Sequence, residues 1–163
     1  MSRRSPSARL RHAPLGRRTL ALALALGCSW GLVFARGTAR AESTPAYRVI
    51  VHPDNPSTSL TRDFLVDAFL KRTTRWGDGE TIRPVDQRAD SAVRRRFSES
   101  VLQRSVAAVK SYWQQRIFSG RELPPPELDS DDAVVGYVLK HRGALGYVSG
   151  SAKLERAKVV QVQ

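Results

Sequence analysis

Cysteine is almost missing from this chain: of 163 residues only Cys28 carries a thiol, so no intramolecular disulfide can form. Methionine occurs only at position 1, and histidine only as His12, His52 and His141. No aspartate or glutamate precedes Glu42, and the longest apolar stretch, about 15 residues within 20–34, falls short of the roughly 20 that span a bilayer. Residues 42–163 contain no G-x-S-x-G, no H-E-x-x-H and no glycine-rich phosphate loop. With no spacing that assembles a nucleophile, a base or a cofactor set, the residues argue against an enzyme.

What is present is unevenly distributed. The formal charge is +12, from 27 Lys and Arg against 15 Asp and Glu. Eight of the 27 positives (Arg3, Arg4, Arg9, Arg11, Arg17, Arg18, Arg36 and Arg40) lie in residues 1–41, so 19 remain against all 15 acids and residues 42–163 carry only +4. The extreme basicity therefore belongs to the leader, and a nucleic-acid role is not supported. An Arg-rich start, the apolar run Leu20–Leu26 extending to Phe34, and Ala39-Arg40-Ala41 together form the three parts of a cleavable signal peptide. Gly16-Arg17-Arg18-Thr19-Leu20 partly fits a twin-arginine signal. Cys28, after Ala25-Leu26-Gly27, sits in a poor lipoprotein box, so lipid anchoring is disfavoured. The expectation is a signal peptide over 1–41 and one α/β domain over 42–163 that is periplasmic or secreted after cleavage.

Periodicity orders that domain. Tyr47–His52 reads as a buried strand closed by Pro53-Asp54-Asn55-Pro56. Ser59 is placed to cap a helix with Leu60, Phe64, Leu65, Ala68 and Phe69 on one stripe and Asp67 paired with Lys71 on the other face. Trp76–Gly79 reads as a turn and Thr81–Asp86 as a second strand that Pro84 sends to an edge. Asp90 or Ser91 starts a helix with Val93, Phe97 and Val101 inward, and a third helix over 106–118 turns Val106, Val109, Trp113 and Ile117 inward. After the stiff connector Leu123–Pro126, Asp129–Asp132 opens a fourth helix, with the acids complementing its dipole and Gly143 as its C-cap. Residues 144–148 and 158–162 read as the last strands. Strands alternating with helices indicate a layered α/β fold.

The order Val49–Pro53, Leu60-Thr61, Ala68–Thr73, Arg75-Trp76, Ile82–Val85, Phe97 and Gly143–Val148 resembles the phosphate-type substrate-binding proteins of ABC importers. The resemblance implies a single lobe of the type II periplasmic-binding-protein fold, a mixed sheet flanked by about four helices. It also implies an oxyanion seat where that family has an R-x-x-x-S-G-T turn. Here Gln87 stands at the arginine place and Ser91-Ala92-Val93 at S-G-T, with Arg88 one residue away. Ser91, Arg88, Gln87 and Arg94 are thus the candidate ligand-binding residues for phosphate or a similar oxyanion.

Each has a plainer reading. Ser91 is a natural helix cap, and Arg94-Arg95-Arg96 a solvated helix face. Trp76 and Trp113 read as packing anchors. His52 and His141 do not suggest a metal site, and Asp129, Asp131 and Asp132 lack the glycine and distal glutamate of a calcium loop. A lone lobe also lacks the opposite wall. Losing four charge-assisted hydrogen bonds removes about 6–12 kcal/mol, whereas a micromolar complex has only about 8. Two functions follow: a small solute-binding module connected with transport, which describes the whole matched region, or a degenerate lobe serving as an accessory interaction module without a small ligand. The partners are an oxyanion, a transporter or another exported protein, or a second copy. No cofactor is called for.

Amino-terminal sequencing of the exported protein is expected to begin at Glu42. A chain that keeps its Arg-rich start, or carries lipid on Cys28, overturns that cleavage assignment.

Overall fold

The computed structural model describes residues 46–163. The leader, Cys28 and the cleavage position after Ala41 lie outside the described residues. Ala41–Gln163 forms one compact unit, and both of its apolar cores are drawn from residues 47–160, so this part of the chain contains what it needs to fold alone.

Strand β1 (Tyr47–Val51) is the centre of a five-stranded mixed sheet ordered β2-β7-β1-β6-β3. It runs antiparallel to β6 (Ala144–Ser149) and to β7 (Lys158–Val162), pairing Val49 with Tyr147 on one side and Val160 on the other. β2 (Ser59–Leu60) lies parallel to the end of β7, and β3 (Arg83–Pro84) lies parallel to β6. Four helices cover the sheet: α1 (Arg62–Phe69), α2 (Ala92–Ser100), α3 (Val106–Phe118) and α4 (Asp131–Lys140).

Successive strand residues point to opposite faces, and both faces are apolar. Val49, Val51, Leu145, Tyr147 and Val160 join Phe69, Phe97, Val109 and Trp113 under α1–α3. Ile50, Ala144, Val148 and Val159 join Val134, Val135 and Val138 under α4. Burial on both faces explains why β1 and β6 read as continuous apolar runs.

Several local expectations need correction. Ser59 does not cap α1; it lies in β2, and the Thr61 hydroxyl accepts the Phe64 amide at 3.2 Å. Two residues of sheet pairing with Gln161 and Val162 displaced the helix start. Lys71 does not pair with Asp67, because α1 ends at Phe69 and Lys71 turns left-handed at φ 52°. Arg72 takes that carboxylate at 3.4 Å, and Lys71 Nζ donates to the Leu123 carbonyl at 2.8 Å. Ile117 is not inward but 46% exposed.

The expected second strand divides. Val85 donates to Leu145 on β6, but Asp86 donates to the Pro126 carbonyl and Arg88 to Leu128. The chain therefore leaves the main sheet and forms β4 (Asp86–Gln87), parallel to an unforeseen strand β5 (Glu127–Leu128). Pro84, having no N–H, does sit on the edge strand.

Gly143 is not a left-handed cap; α4 ends at His141 in extended conformation. Gly143 is there because the backbone of residue 81 passes against it: an added Cβ would lie 1.9 Å from the Thr81 carbonyl oxygen. Its own carbonyl accepts both the Arg83 amide at 2.8 Å and the Trp76 indole N–H at 3.0 Å. Gly136, inside α4, has open space around it. Equilibrium unfolding should separate the two: Gly143→Ala destabilises by about 2 kcal/mol or more through forced backbone movement, and Gly136→Ala stabilises by about 0.5–1 kcal/mol through helix propensity. Equal effects would mean that the Thr81 contact does not constrain position 143.

Candidate functional site

The switch from β6 to β5 places Asp86 and Gln87 beneath the heads of α2 and α4. Gln87 is 4% exposed and fully engaged. Its Nε2 donates to Asp131 Oδ1 at 2.8 Å and to the Tyr147 carbonyl at 3.1 Å, while its Oε1 accepts the Ser91 hydroxyl at 2.8 Å. Ser91 caps α2, its oxygen accepting the Arg94 amide at 3.4 Å. Asp131, in the first turn of α4, also takes the Ser149 amide at 3.1 Å and the Ser149 hydroxyl at 2.5 Å. Gln87, Ser91, Asp131 and Ser149 thus form one closed network joining the two helix heads to the end of β6.

Arg88 stands outside this network. Its Nε and Nη2 hold the Asp90 carboxylate at 3.2 and 3.1 Å, and Asp129 lies 3.9 Å from Nη1. Ala92 and Val93 head α2 with amides that find no acceptor among the described residues. They are the remaining anion-directed donors at this end of the helix.

Arg94 does not belong to a solvated face. It is 4% exposed, whereas Arg95 and Arg96 are exposed. Positions 94, 97, 98 and 101 share one helical stripe, and that stripe is buried against the sheet. Arg94 is ion-paired with Asp86, itself 4% exposed, and its Nη1 also donates to the Gln87 carbonyl at 3.1 Å. Glu127 lies 4.0 Å away. The Tyr147 hydroxyl donates to the same Asp86 and accepts the Gln87 amide at 3.3 Å. Burial pushes the Tyr147 phenol up from its usual value near 10, with the Arg94 charge opposing that shift. Burial likewise lowers Arg94, offset in part by Tyr147 and Glu127.

Of the four candidate residues, Gln87 and Ser91 meet directly, and sequence reasoning missed Asp86, Asp131, Tyr147 and Ser149 around them. An aspartate ending an apolar strand was the available signal for Asp86. Asp131 was read only as a partner of the helix dipole. Trp76 and Trp113 are buried, as expected of packing anchors. His52 Nδ1 accepts the Asp54 amide and His141 Nδ1 contacts the Tyr137 carbonyl.

Comparison with solved structures identifies the architecture. A structure assigned as a phosphate ABC transporter substrate-binding protein from Clostridium perfringens, with bound phosphate, superposes with TM-score 0.57 at 21% identity over 72% of this chain. An ABC-type phosphate transport receptor from Vibrio cholerae gives 0.56 at 23%, and PstS from Borrelia burgdorferi 0.55 at 12%, each over the same share. The chain shares the fold of part of each of these receptors. It spans less than half of each receptor, 44%, 46% and 47% of their lengths. No protein-family model and no curated protein matches the sequence. The receptor-like α/β architecture inferred from the motif order is therefore borne out at the level of fold, and these relatives are described as transport receptors and not as enzymes. Among the described residues no helix is long and apolar enough to cross a membrane.

The Tyr147 phenol gives the receptor-like fold a pH signature. A phenol pushed up in the folded state contributes stability that is complete below about pH 10 and is lost as pH rises toward its folded value. Denaturant midpoints are expected to hold from neutrality to about pH 9 and fall above about 10. Tyr147→Phe should be less stable at neutrality by about 1–3 kcal/mol, with a flatter alkaline limb. Parallel alkaline declines in the two proteins would assign the transition to another group.

Proposed function

We propose that this chain is an exported, receptor-like lobe that serves transport or another envelope process by contacting a protein partner and does not trap phosphate itself. The observation that carries this reading is the consumption of the Ser91 hydroxyl. Its proton goes to Gln87, its lone pair to the helix amide, and Gln87 is held in turn by Asp131. An entering oxyanion would have to break that network, and Arg88, one residue from the place of the family arginine, is held by Asp90 and Asp129.

Charge supports the same reading. Asp90, Asp129 and Asp131 stand beside the seat, and Arg88, the available cation, is paired with the first two. A divalent anion would enter a local field set mainly by carboxylates. The unoccupied Ala92 and Val93 amides, with Arg88, favour a second and weaker reading as a low-affinity oxyanion contact. Two amides without a second wall supply much less than the roughly 8 kcal/mol of a micromolar complex. That the Clostridium receptor was solved with bound phosphate supports keeping phosphate as the probe.

Calorimetric titration of residues 42–163 with phosphate tests the reading. We expect no saturable heat below about 1 mM for the natural sequence, and at least about tenfold tighter binding after grafting Gln87→Arg, Ala92→Gly and Val93→Thr together. Micromolar binding by the natural sequence overturns the proposal and returns the chain to the solute-binding class.

A further inference from the structure

Helix α3 ends in an apolar knob. Phe118, its last residue, is 90% exposed; Ile117 beside it is 46% exposed and Leu123 across the turn 69%. These are three of the four large exposed apolar side chains among the described residues. Gly120, at φ 68°, folds the chain back so that the proline connector runs alongside α3.

Beside the knob lies a cleft of about 260 Å³. Trp113, Ile117, Pro124 and Pro125 wall it, and the Arg94–Asp86 pair lies against it. Small-molecule sites occupy roughly 300–1,000 Å³, so this cleft has the size of a seat for one large side chain. Its connector wall is held from both sides. Arg116 bonds Glu122 at 2.9 Å, and Lys71 holds the Leu123 carbonyl at 2.8 Å. The seat is preformed, which reduces the ordering cost of filling it.

We infer that the occupant is Phe118 of a second copy of this chain, in an isologous dimer about a twofold axis near the end of α3. Knob and seat share Ile117, so they are adjacent on one surface, as a twofold contact requires: each copy gives a ring and receives one. The rim also suits self-pairing. Lys110 and Glu127 both border the cleft, so a second copy can bring opposite charges together, whereas a rim of one sign would repel itself. This dimer is independent of what happens at Ser91.

Sedimentation equilibrium of residues 42–163 is the test. A contact built on one aromatic ring from each copy belongs with the small interfaces, below about 1,200 Å², and a weak monomer–dimer equilibrium is expected, in the range of about 10–200 µM. Phe118→Ser, at an exposed position that leaves both cores untouched, should weaken it by more than about 100-fold, because symmetry removes the contact twice. Phe118→Leu should retain most of it. A photoreactive benzoylphenylalanine at 118, in mixed isotope-labelled and unlabelled protein, should cross-link between copies onto Trp113, Ile117, Pro124 or Pro125. A natural sequence monomeric throughout that range, a Phe118→Ser protein that still dimerises, or intermolecular cross-links mapping away from the cleft each overturn the inference.

Discussion

The arrangement depends on one buried ion pair, Arg94 with Asp86. Both side chains are almost fully removed from solvent, which is favourable only if each charge is answered by close partners. Asp86 collects the guanidinium, the Tyr147 hydroxyl and the Gln87 amide. Arg94 reaches the Gln87 carbonyl and the vicinity of Glu127, though its Nε finds no partner among the described residues. Removing either member would leave the other charge uncompensated in the interior, a penalty of about 3–5 kcal/mol. The pair therefore constrains where α2 docks and where the chain may leave the main sheet.

The aromatic packing and the ion pair support each other. Phe97 stacks on Tyr147 with ring centroids 3.9 Å apart and nearly parallel planes, and Phe69 closes on both at 4.8 and 5.8 Å. This stack sits one helical turn from Arg94 and aims the Tyr147 hydroxyl at Asp86. Because β4 must pass over that hydroxyl, it pairs with β5 instead of continuing along β6. The proline connector before β5 is thereby drawn toward α3, where it forms the wall of the cleft beside Phe118.

The same constraint governs the end of the sheet where the helix heads meet. The helix heads at Ser91 and Ser130 and the end of β6 converge, as the fold requires, but the side chains delivered there satisfy one another. A glutamine at the strand end bridges the Ser91 hydroxyl and the Asp131 carboxylate, so both are partnered within the chain. Position 94 carries a cation, but the helical stripe turns it inward.

Helix α3 was legible to the residue, α2 and α4 nearly so, and β1 and β7 closely, because their signals are local: caps, apolar periodicity, and runs bounded by turn residues. The motif order likewise indicated the fold that the solved receptors share. What could not be read were features set by contacts between distant segments. Ser59 looks like a cap until the end of β7 claims it as a strand, and Gly143 looks like a helix stop until the Thr81 backbone is brought against it. Arg94 looks solvated beside Arg95 and Arg96 until Asp86, eight residues earlier in the chain, is buried against it. The sequence by itself thus determined the four helices, the long strands and their order, all properties of residue type and spacing. The tertiary structure alone decided that Ser91 is already partnered, that Arg94 is an interior charge and that the proline connector and α3 enclose a cleft beside Ile117, because each depends on which side chains meet across the fold.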